Sequence, residues 1–198
     1  MREQVIRPLR PRVRPQDPHA AENLAALLRR ETAAVGHAGR SASVVCVGTD
    51  RSTGDALGPL VGTLLEQRPV AGLRVFGSLR SPVHAGNLSE FLPALMEAAE
   101  EGPVLAIDAC LGSYESVGSI LVQRGPLRPG AGVRKELPPI GDVAVMATVN
   151  VGGFMEYVVL QNTRLSLVYD LALLIAGSLR LSFSAAASPR ADAPLRQP

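Results

Sequence analysis

Two apolar, β-branched runs, each leading to an aspartate, constrain the fold of this chain most strongly. Val44–Val47 leads through a loop to Asp55, and Val104–Ile107 leads to Asp108. Short apolar runs of this kind are typical of buried strands in a parallel sheet. Because the loops at the carboxyl ends of such strands build the ligand crevice, we expect the two acids to face one another there.

The composition indicates one globular domain with an aliphatic core. The 198 residues are 46% hydrophobic and 19% charged, with no Trp and only 4% aromatic residues. A net charge of +2 is too small to indicate a nucleic-acid binder by itself. Cys46 and Cys110 lie in or beside apolar runs, which favours small buried side chains in a reducing cytosol over a nucleophile.

Strand-like and helix-like segments alternate along the chain. This alternation predicts a three-layer α/β/α domain with a mostly parallel central sheet. We expect the first helix after an N-cap at Asp17, the second near Asp55, and the third at Asn87, where Asn-Leu-Ser-Glu reads as a capping box. The predicted strands are 43–48, 73–79, 104–109, 118–123 and 142–149, and the last two helices are 154–162 and 165–183.

The two ends of the chain differ in composition from its centre. Residues 1–17 form an Arg/Pro-rich segment that we expect to be disordered and dispensable for folding, and residues 184–198 form an Ala/Pro/Ser-rich tail, also expected to be disordered. Residues 18–183 make up the single domain. The arginines of the first segment predict at most a weak, non-specific contact with nucleic acid.

The segment 165–183 is apolar enough to raise the question of a membrane span. Asp170 and Arg180 interrupt it, and each would cost about 2.5–3.5 kcal/mol near the centre of a bilayer. We therefore expect a buried C-terminal helix and no membrane partner. The first residues lack the apolar core of a signal peptide, which favours a cytoplasmic protein.

An aspartate pair at one sheet edge has a definite chemistry. Two close carboxyl groups cannot both ionise cheaply, so they share a proton and the pKa of one rises. Such a pair supplies a general base and a general acid, which together can hydrolyse an amide with water. Asp55 has a structural alternative at a helix N-terminus, and Asp50 is either a turn residue or a support for the pair. The glycine spacing around Gly48 does not fit a phosphate-binding loop.

His84 is the histidine best placed to join the acids, because it follows the second predicted strand. Neutral imidazole with two carboxylates would make a divalent-metal site, which keeps a metal-dependent hydrolase open. The loop around His84 offers no second histidine or cysteine. We therefore expect no tightly bound metal and no cofactor, with His84 a surface residue or a contact for substrate.

Several motifs together resemble the germination protease, which degrades small acid-soluble spore proteins. Thr53–Pro59 reads Thr-Gly-Asp-Ala-Leu-Gly-Pro, Ala106–Ala109 is similar to the second acidic strand end of that enzyme, and Arg128–Leu137 is similar to its downstream Pro-Gly and Arg-Lys-Glu-Leu stretches. Gly48–Asp55 resembles the Gly-Thr-Asp-Arg-Ser-Thr-Gly-Asp run of the shorter YyaC-type sporulation proteins. The wider group includes the hydrogenase-maturation proteases.

The resemblance implies the α/β fold of those proteases, a catalytic role for Asp55 and Asp108, and a forespore location. It implies a sporulation-associated peptidase that acts on a protein or peptide partner, such as a spore protein. The nickel-binding histidine of the hydrogenase proteases follows the second acid, and this chain has no histidine after His84. A catalytically silent binding protein and a metal-dependent hydrolase remain alternatives, and oligomerisation is left open.

Overall fold

A six-stranded mixed sheet forms the centre of the computed structural model, which describes residues 11–36, 41–129 and 137–184. The strand order is β1-β5-β6-β4-β2-β3. The four strands from β6 to β3 run parallel, and β5 and β1 are antiparallel additions at one edge. The strands are β1 (Arg12–Val13), β2 (Ala42–Cys46), β3 (Leu73–Phe76), β4 (Val104–Gly112), β5 (Ile120–Arg124) and β6 (Val143–Val151).

Helices cover both faces of the sheet, which confirms the predicted three-layer α/β architecture. The helices are α1 (Ala20–Ala33), α2 (Leu57–Gln67), α3 (Leu88–Glu101), α4 (Glu156–Gln161) and α5 (Leu165–Ser184). Alternate residues of the strands face opposite layers, as the pleat requires. Leu105 and Ile107 pack with α1, α2 and α5, whereas Val104 and Ala106 pack with α3.

The sheet has a topological switch point between β2 and β4. From β2 the chain passes through α2 to β3 on one side, and from β4 it passes towards β5 and β6 on the other. Ligand crevices of open α/β sheets lie outside the carboxyl ends of the two strands at such a point. The two predicted catalytic acids lie near this place, Asp55 in the loop that leaves β2 and Asp108 on β4 itself.

β4 extends beyond its neighbour β2. Cys46 pairs with Ile107 at the end of β2, and beyond this point β4 stays paired with β6 as far as Gly112. Asp108 therefore lies inside a strand, within the predicted segment 104–109, and not in a loop beyond the strand end. The additional length arises because β6, not β2, supplies the partners for residues 108–112.

The prediction that residues 1–17 are disordered is wrong for the described residues 11–17. Val13 is buried and pairs with Ile120, and the guanidinium of Arg14 donates to the carbonyl oxygen of Val117 over 2.8 Å. The first ten residues, like the predicted tail from residue 185 onwards, lie outside the described residues. Asp17 is not the N-cap of α1, because its carboxylate instead accepts from the N–H of Arg14 over 2.7 Å.

The helix α5 packs as a core helix. By length and composition it is the one helix in the described part that could cross a membrane. Its inner side is fully buried among the residues of the sheet and of α1 and α2. The side chains that form this inner side include Val168, Leu171, Ile175 and Leu179.

Candidate active site

Asp55 lies in a loop that the backbone closes on itself at the end of β2. The N–H of Thr49 donates to the carbonyl oxygen of Asp55 over 3.2 Å, and the N–H of Ala56 donates to the carbonyl oxygen of Ser52 over 3.0 Å. Asp55 precedes α2 by two residues, and no side chain caps that helix. The structural alternative for Asp55, an N-capping acid, is therefore not what the structure shows.

Glycines allow this loop to approach its surroundings closely. A Cβ on Gly58 would lie 2.0 Å from the carbonyl oxygen of Val47, so α2 begins directly against the end of β2. The N–H of Gly54 donates to the carbonyl oxygen of Leu160 over 2.9 Å, which fastens the loop to α4. The motif Thr-Gly-Asp-Ala-Leu-Gly-Pro thus encodes close backbone contacts on both sides of the acid.

Asp108 on β4 and Asp55 after β2 are both partly buried, and they interact electrostatically. Burial is the main cause that raises the pKa of Asp108 to about 8, and the charge of Asp55 raises it further, against a hydrogen bond from the backbone N–H of Ala109. Burial also raises the pKa of Asp55. The charge of Asp55 thus acts on Asp108, as expected for two carboxyl groups at the same end of neighbouring strands.

Ser52 is a polar neighbour of Asp55 that the sequence reasoning missed. Its side chain is buried, and its Oγ has no hydrogen-bond partner of normal geometry in the described part of the chain. The hydroxyl nevertheless lies close enough to Asp55 to oppose the rise in its pKa. Its position, three residues before the acid in a tight turn, is the only signal that the sequence offers.

Asp50 and His84 are not brought into contact with the acid pair. Asp50 is exposed in the Thr49–Asp55 loop. His84 follows Val83, which bridges to Val47, so it lies at the same edge of the sheet. However, its Nδ1 accepts from the N–H of Gly86 over 3.1 Å, within its own loop. A supporting or substrate-binding role for either residue stays a prediction.

The alternative metal site of Asp55, Asp108 and His84 is not assembled. Among the described residues, no three His, Cys, Asp or Glu side chains are grouped closely enough to hold a metal ion. Carboxylates alone are weak ligands for zinc or nickel compared with imidazole and thiolate. We therefore derive no step of the chemistry through a metal.

Two further side chains extend the site along β4 and β6. Cys110 lies on the same face of β4 as Asp108, and its Sγ is 3.5 Å from Oγ1 of Thr148 on β6. Burial raises the pKa of the Cys110 thiol, so the thiol is protonated and is no ready nucleophile. Cys46 is fully buried in the core, as expected for a small apolar side chain.

Comparison with known proteins identifies the family but no activity. Residues 12–178 match the family described as "Protein of unknown function (DUF1256)". The chain belongs to this family. It is also 51% identical, over 145 residues, to the uncharacterized protein YyaC of Bacillus subtilis (strain 168), an alignment that covers 73% of this chain and 71% of the relative. The expected YyaC-type relationship is thus confirmed.

A solved structure is similar in fold at low identity. It is a crystal structure of the [NiFe] hydrogenase maturation protease HycI from Thermococcus kodakarensis KOD1. The TM-score is 0.48 at 17% identity, and the match covers 77% of this chain and 98% of that one.

Proposed function

We propose that this protein is a peptidase that hydrolyses a protein partner with Asp55 and Asp108 as an acid–base pair. The observation that supports the proposal is the electrostatic interaction of two partly buried carboxyl groups near the switch point of the sheet. A pair of titratable groups whose pKa values are shifted by burial and by mutual charge is typical of acid–base sites. We assign the partner to sporulation because the Gly48–Pro59 and Ala106–Ala109 motifs resemble those of spore proteases.

The raised pKa of Asp108 assigns it the role of general acid and leaves the role of general base to Asp55. With a pKa of about 8, Asp108 holds its proton in about ten of every eleven molecules at pH 7. Asp55 carries the charge and is the general base. It removes a proton from a water molecule, whose oxygen attacks the carbonyl carbon of the peptide bond. Asp108 donates its proton, the C–N bond breaks, and the products are a carboxylic acid and an amine.

The test is hydrolysis of purified small acid-soluble spore proteins in water enriched in ¹⁸O. Direct attack by water places one ¹⁸O atom in the new carboxyl terminus, which mass spectrometry detects. Asp55→Asn and Asp108→Asn should each lower the rate at least about 100-fold, as for the loss of a general base or acid. Asp170→Asn, which changes an exposed acid on α5, is the matched control and should retain the rate.

Two outcomes would contradict the proposal. Cleavage that persists in both dyad variants would show that other groups perform the chemistry. A wild-type protein that binds spore-protein fragments without cutting them would favour the catalytically silent binding protein instead.

A further inference from the structure

Arg12 and Asp108 occupy one row across the sheet. Arg12 pairs with Leu121, Leu121 with Met146, and Met146 with Asp108. Register partners project from the same face of a sheet. At about 4.8 Å between neighbouring strands, the Cα atoms at the two ends of the row are about 14 Å apart. The cation on β1 and the acid on β4 thus belong to one surface.

Buried hydroxyl groups hold the Arg12 guanidinium over this surface. Its Nη1 donates to Oγ of Ser119 over 3.0 Å and to Oγ1 of Thr148 over 3.4 Å. Ser119 is fully buried and itself donates to the carbonyl oxygen of Ser116 over 2.6 Å. The guanidinium is therefore positioned by groups that have little freedom to move.

The same guanidinium has unused donors. Both of its side-chain contacts use Nη1, and no ion pair or hydrogen bond occupies Nη2 or Nε among the described residues. Two parallel N–H donors are the arrangement with which arginine binds a carboxylate. Within the described part of the chain, Arg12 is an exposed cation that two hydroxyl groups hold in place and that no carboxylate pairs with.

A groove of about 360 Å³ extends from this cation to Cys110, two residues along β4 from Asp108, although neither acid lines it. Its lining includes Arg12, Met146 and Thr148 from the row and its neighbourhood, and Cys110 and Glu115. Among the described residues, the Glu115 carboxylate forms no ion pair with Arg12. Hydrogen bonds from its own backbone N–H and from the Ser113 hydroxyl lower the pKa of Glu115.

Cys110 lines the groove and lies on the same strand as Asp108, so it relates the position of the groove to that of the acid. Among charged groups, Asp108 raises the pKa of its thiol and Arg12 lowers it, after the larger effects of burial and of Thr148. Asp108 and Cys110 are two residues apart on one face of β4, which is about 6.6 Å. An extended peptide covers that distance with two residues.

We propose that this groove is a specificity subsite in which Arg12 binds a carboxylate of the substrate, one or two residues from the cleaved bond. The position of the cleaved bond rests on the proposed function. The aliphatic part of the bound residue lies against Leu121 and Met146, and its carboxylate receives the free Nη2 and Nε donors of Arg12. The carboxylate belongs either to an Asp or Glu side chain or to the chain terminus of the substrate.

Binding can be measured without turnover in full-length Asp108→Asn protein labelled with ¹⁵N. The probes are acetylated alanine pentapeptides. Three are amidated and carry a central Glu, Gln or Lys, and the fourth is all-alanine with a free carboxyl terminus. We expect the Glu peptide or the free-terminus peptide to bind at least about tenfold more tightly than the Gln peptide, with shifts at Arg12 Nε and at the Gly112 and Thr148 amides. Whichever of the two binds identifies the source of the carboxylate.

Two additional substitutions in this background identify the cation. Arg12→Gln should abolish the preference for the carboxylate, and Arg12→Glu should reverse it in favour of the Lys peptide. A reversal cannot arise from loosening of β1. Arg14→Gln is the matched control, because Arg14 bonds the carbonyl oxygens of Val117 and Glu115 and does not line the groove.

The result separates this proposal from the proposed function. No preference for a carboxylate, or a preference that survives Arg12→Gln, would overturn the subsite even if the protein cleaves peptides. Conversely, carboxylate binding by a protein whose cleavage does not depend on Asp55 and Asp108 would overturn the acid pair and leave the subsite standing.

Discussion

A methyl group on Gly48 would lie 1.9 Å from the carbonyl oxygen of Asp55. Gly48 also has a φ of +143°, a conformation that side chains of L-residues rarely adopt. The backbone at the end of β2 therefore approaches the Asp55 loop as closely as it does only because this residue is glycine. The position of Asp55 depends on that approach.

Gly48→Ala should displace Asp55 and lower the cleavage rate about 100-fold, since a shift of about 1 Å in a reacting group has an effect of that size. Gly153→Ala is the matched control, because Gly153 has a φ of +148° and no atom within 4 Å of the position that its new methyl group would take. Both substitutions introduce backbone strain, but only the new methyl group of Gly48→Ala would contact Asp55. Equal rates in the two variants, measured beside their melting temperatures, would contradict this reasoning.

The free energy of unfolding should decrease as pH rises, because the pKa of Asp108 is raised in the folded protein. Its pKa is about 8 in the folded protein and about 3.9 in an unfolded chain. Between these values the folded protein holds a proton that the unfolded chain has released. The free energy of unfolding therefore decreases as pH rises, by at most about 1.4 kcal/mol per pH unit from this group.

Asp108→Asn removes that dependence. Urea denaturation from pH 5 to pH 9 measures the difference in the free energy of unfolding between the variant and the wild type. This difference should increase in favour of the variant as pH rises to about 8 and should stay constant above that pH. Asp170→Asn serves as the control and should track the wild type. A difference between Asp108→Asn and wild type that stays constant over the whole range would rule out a raised pKa at this position.

Ser52→Ala should separate stability from catalysis. The substitution removes a buried hydroxyl that has no hydrogen-bond partner in the described residues, so the free energy of unfolding should change by less than about 1 kcal/mol. The hydroxyl opposes the rise in the pKa of Asp55, and its loss should move the acidic limb of the pH–rate profile to higher pH. Ser178→Ala, which removes a hydroxyl that donates to Leu174 over 2.8 Å, should destabilise the protein without moving that limb.

Gly58→Ala should destabilise the protein strongly. The new methyl group would lie 2.0 Å from the carbonyl oxygen of Val47, and overpacking of this kind costs about 1–3 kcal/mol or more. Gly177→Ala, inside α5 with open space around it, should instead gain up to about 1 kcal/mol from helix propensity. Denaturation midpoints that move in the same direction for both would contradict the close packing of α2 against β2.

Deletion of residues 1–17 should lower the melting temperature by several degrees, in contrast to the expectation that this segment is dispensable. Val13 is 5% exposed, and burial of a valine contributes about 2 kcal/mol. Deletion of residues 1–10 alone keeps all the described contacts of β1 and is the comparison. Equal melting temperatures for both shortened proteins and the full chain would show that β1 adds nothing to stability.

The alternation of strands and helices was predictable because buried strands require apolar runs that are visible in the sequence. β1 was not, because a two-residue strand is stabilised by its pairing with β5 and leaves no pattern of its own. The predicted capping box at Asn87 is wrong for a similar reason. α3 does begin at Leu88, but the Asn87 side chain accepts from the N–H of His84 over 2.8 Å and does not cap the helix.

The acid pair could be proposed from the sequence because each acid follows a run that marks its strand. The groove beside it could not, because Arg12, Cys110 and Thr148 meet only through the register of four strands. Their separation along the chain reaches 136 residues between Arg12 and Thr148. Register of this kind depends on the whole sheet, and no local spacing encodes it.

The two acids differ in how much of the molecule must open to separate them. Asp108 lies in a nine-residue strand, whereas the Asp55 loop is fastened by Gly54 to α4, a six-residue helix with no buried residue. Short exposed elements open locally at a small fraction of the global free energy of unfolding. The amide of Gly54 should therefore exchange with solvent hydrogen much faster than the amides of β4. Because the Gly54 amide bonds α4, release of this helix would remove one attachment of the Asp55 loop. We therefore expect a partner that holds α4 in place to favour the described position of Asp55 without touching either carboxyl group.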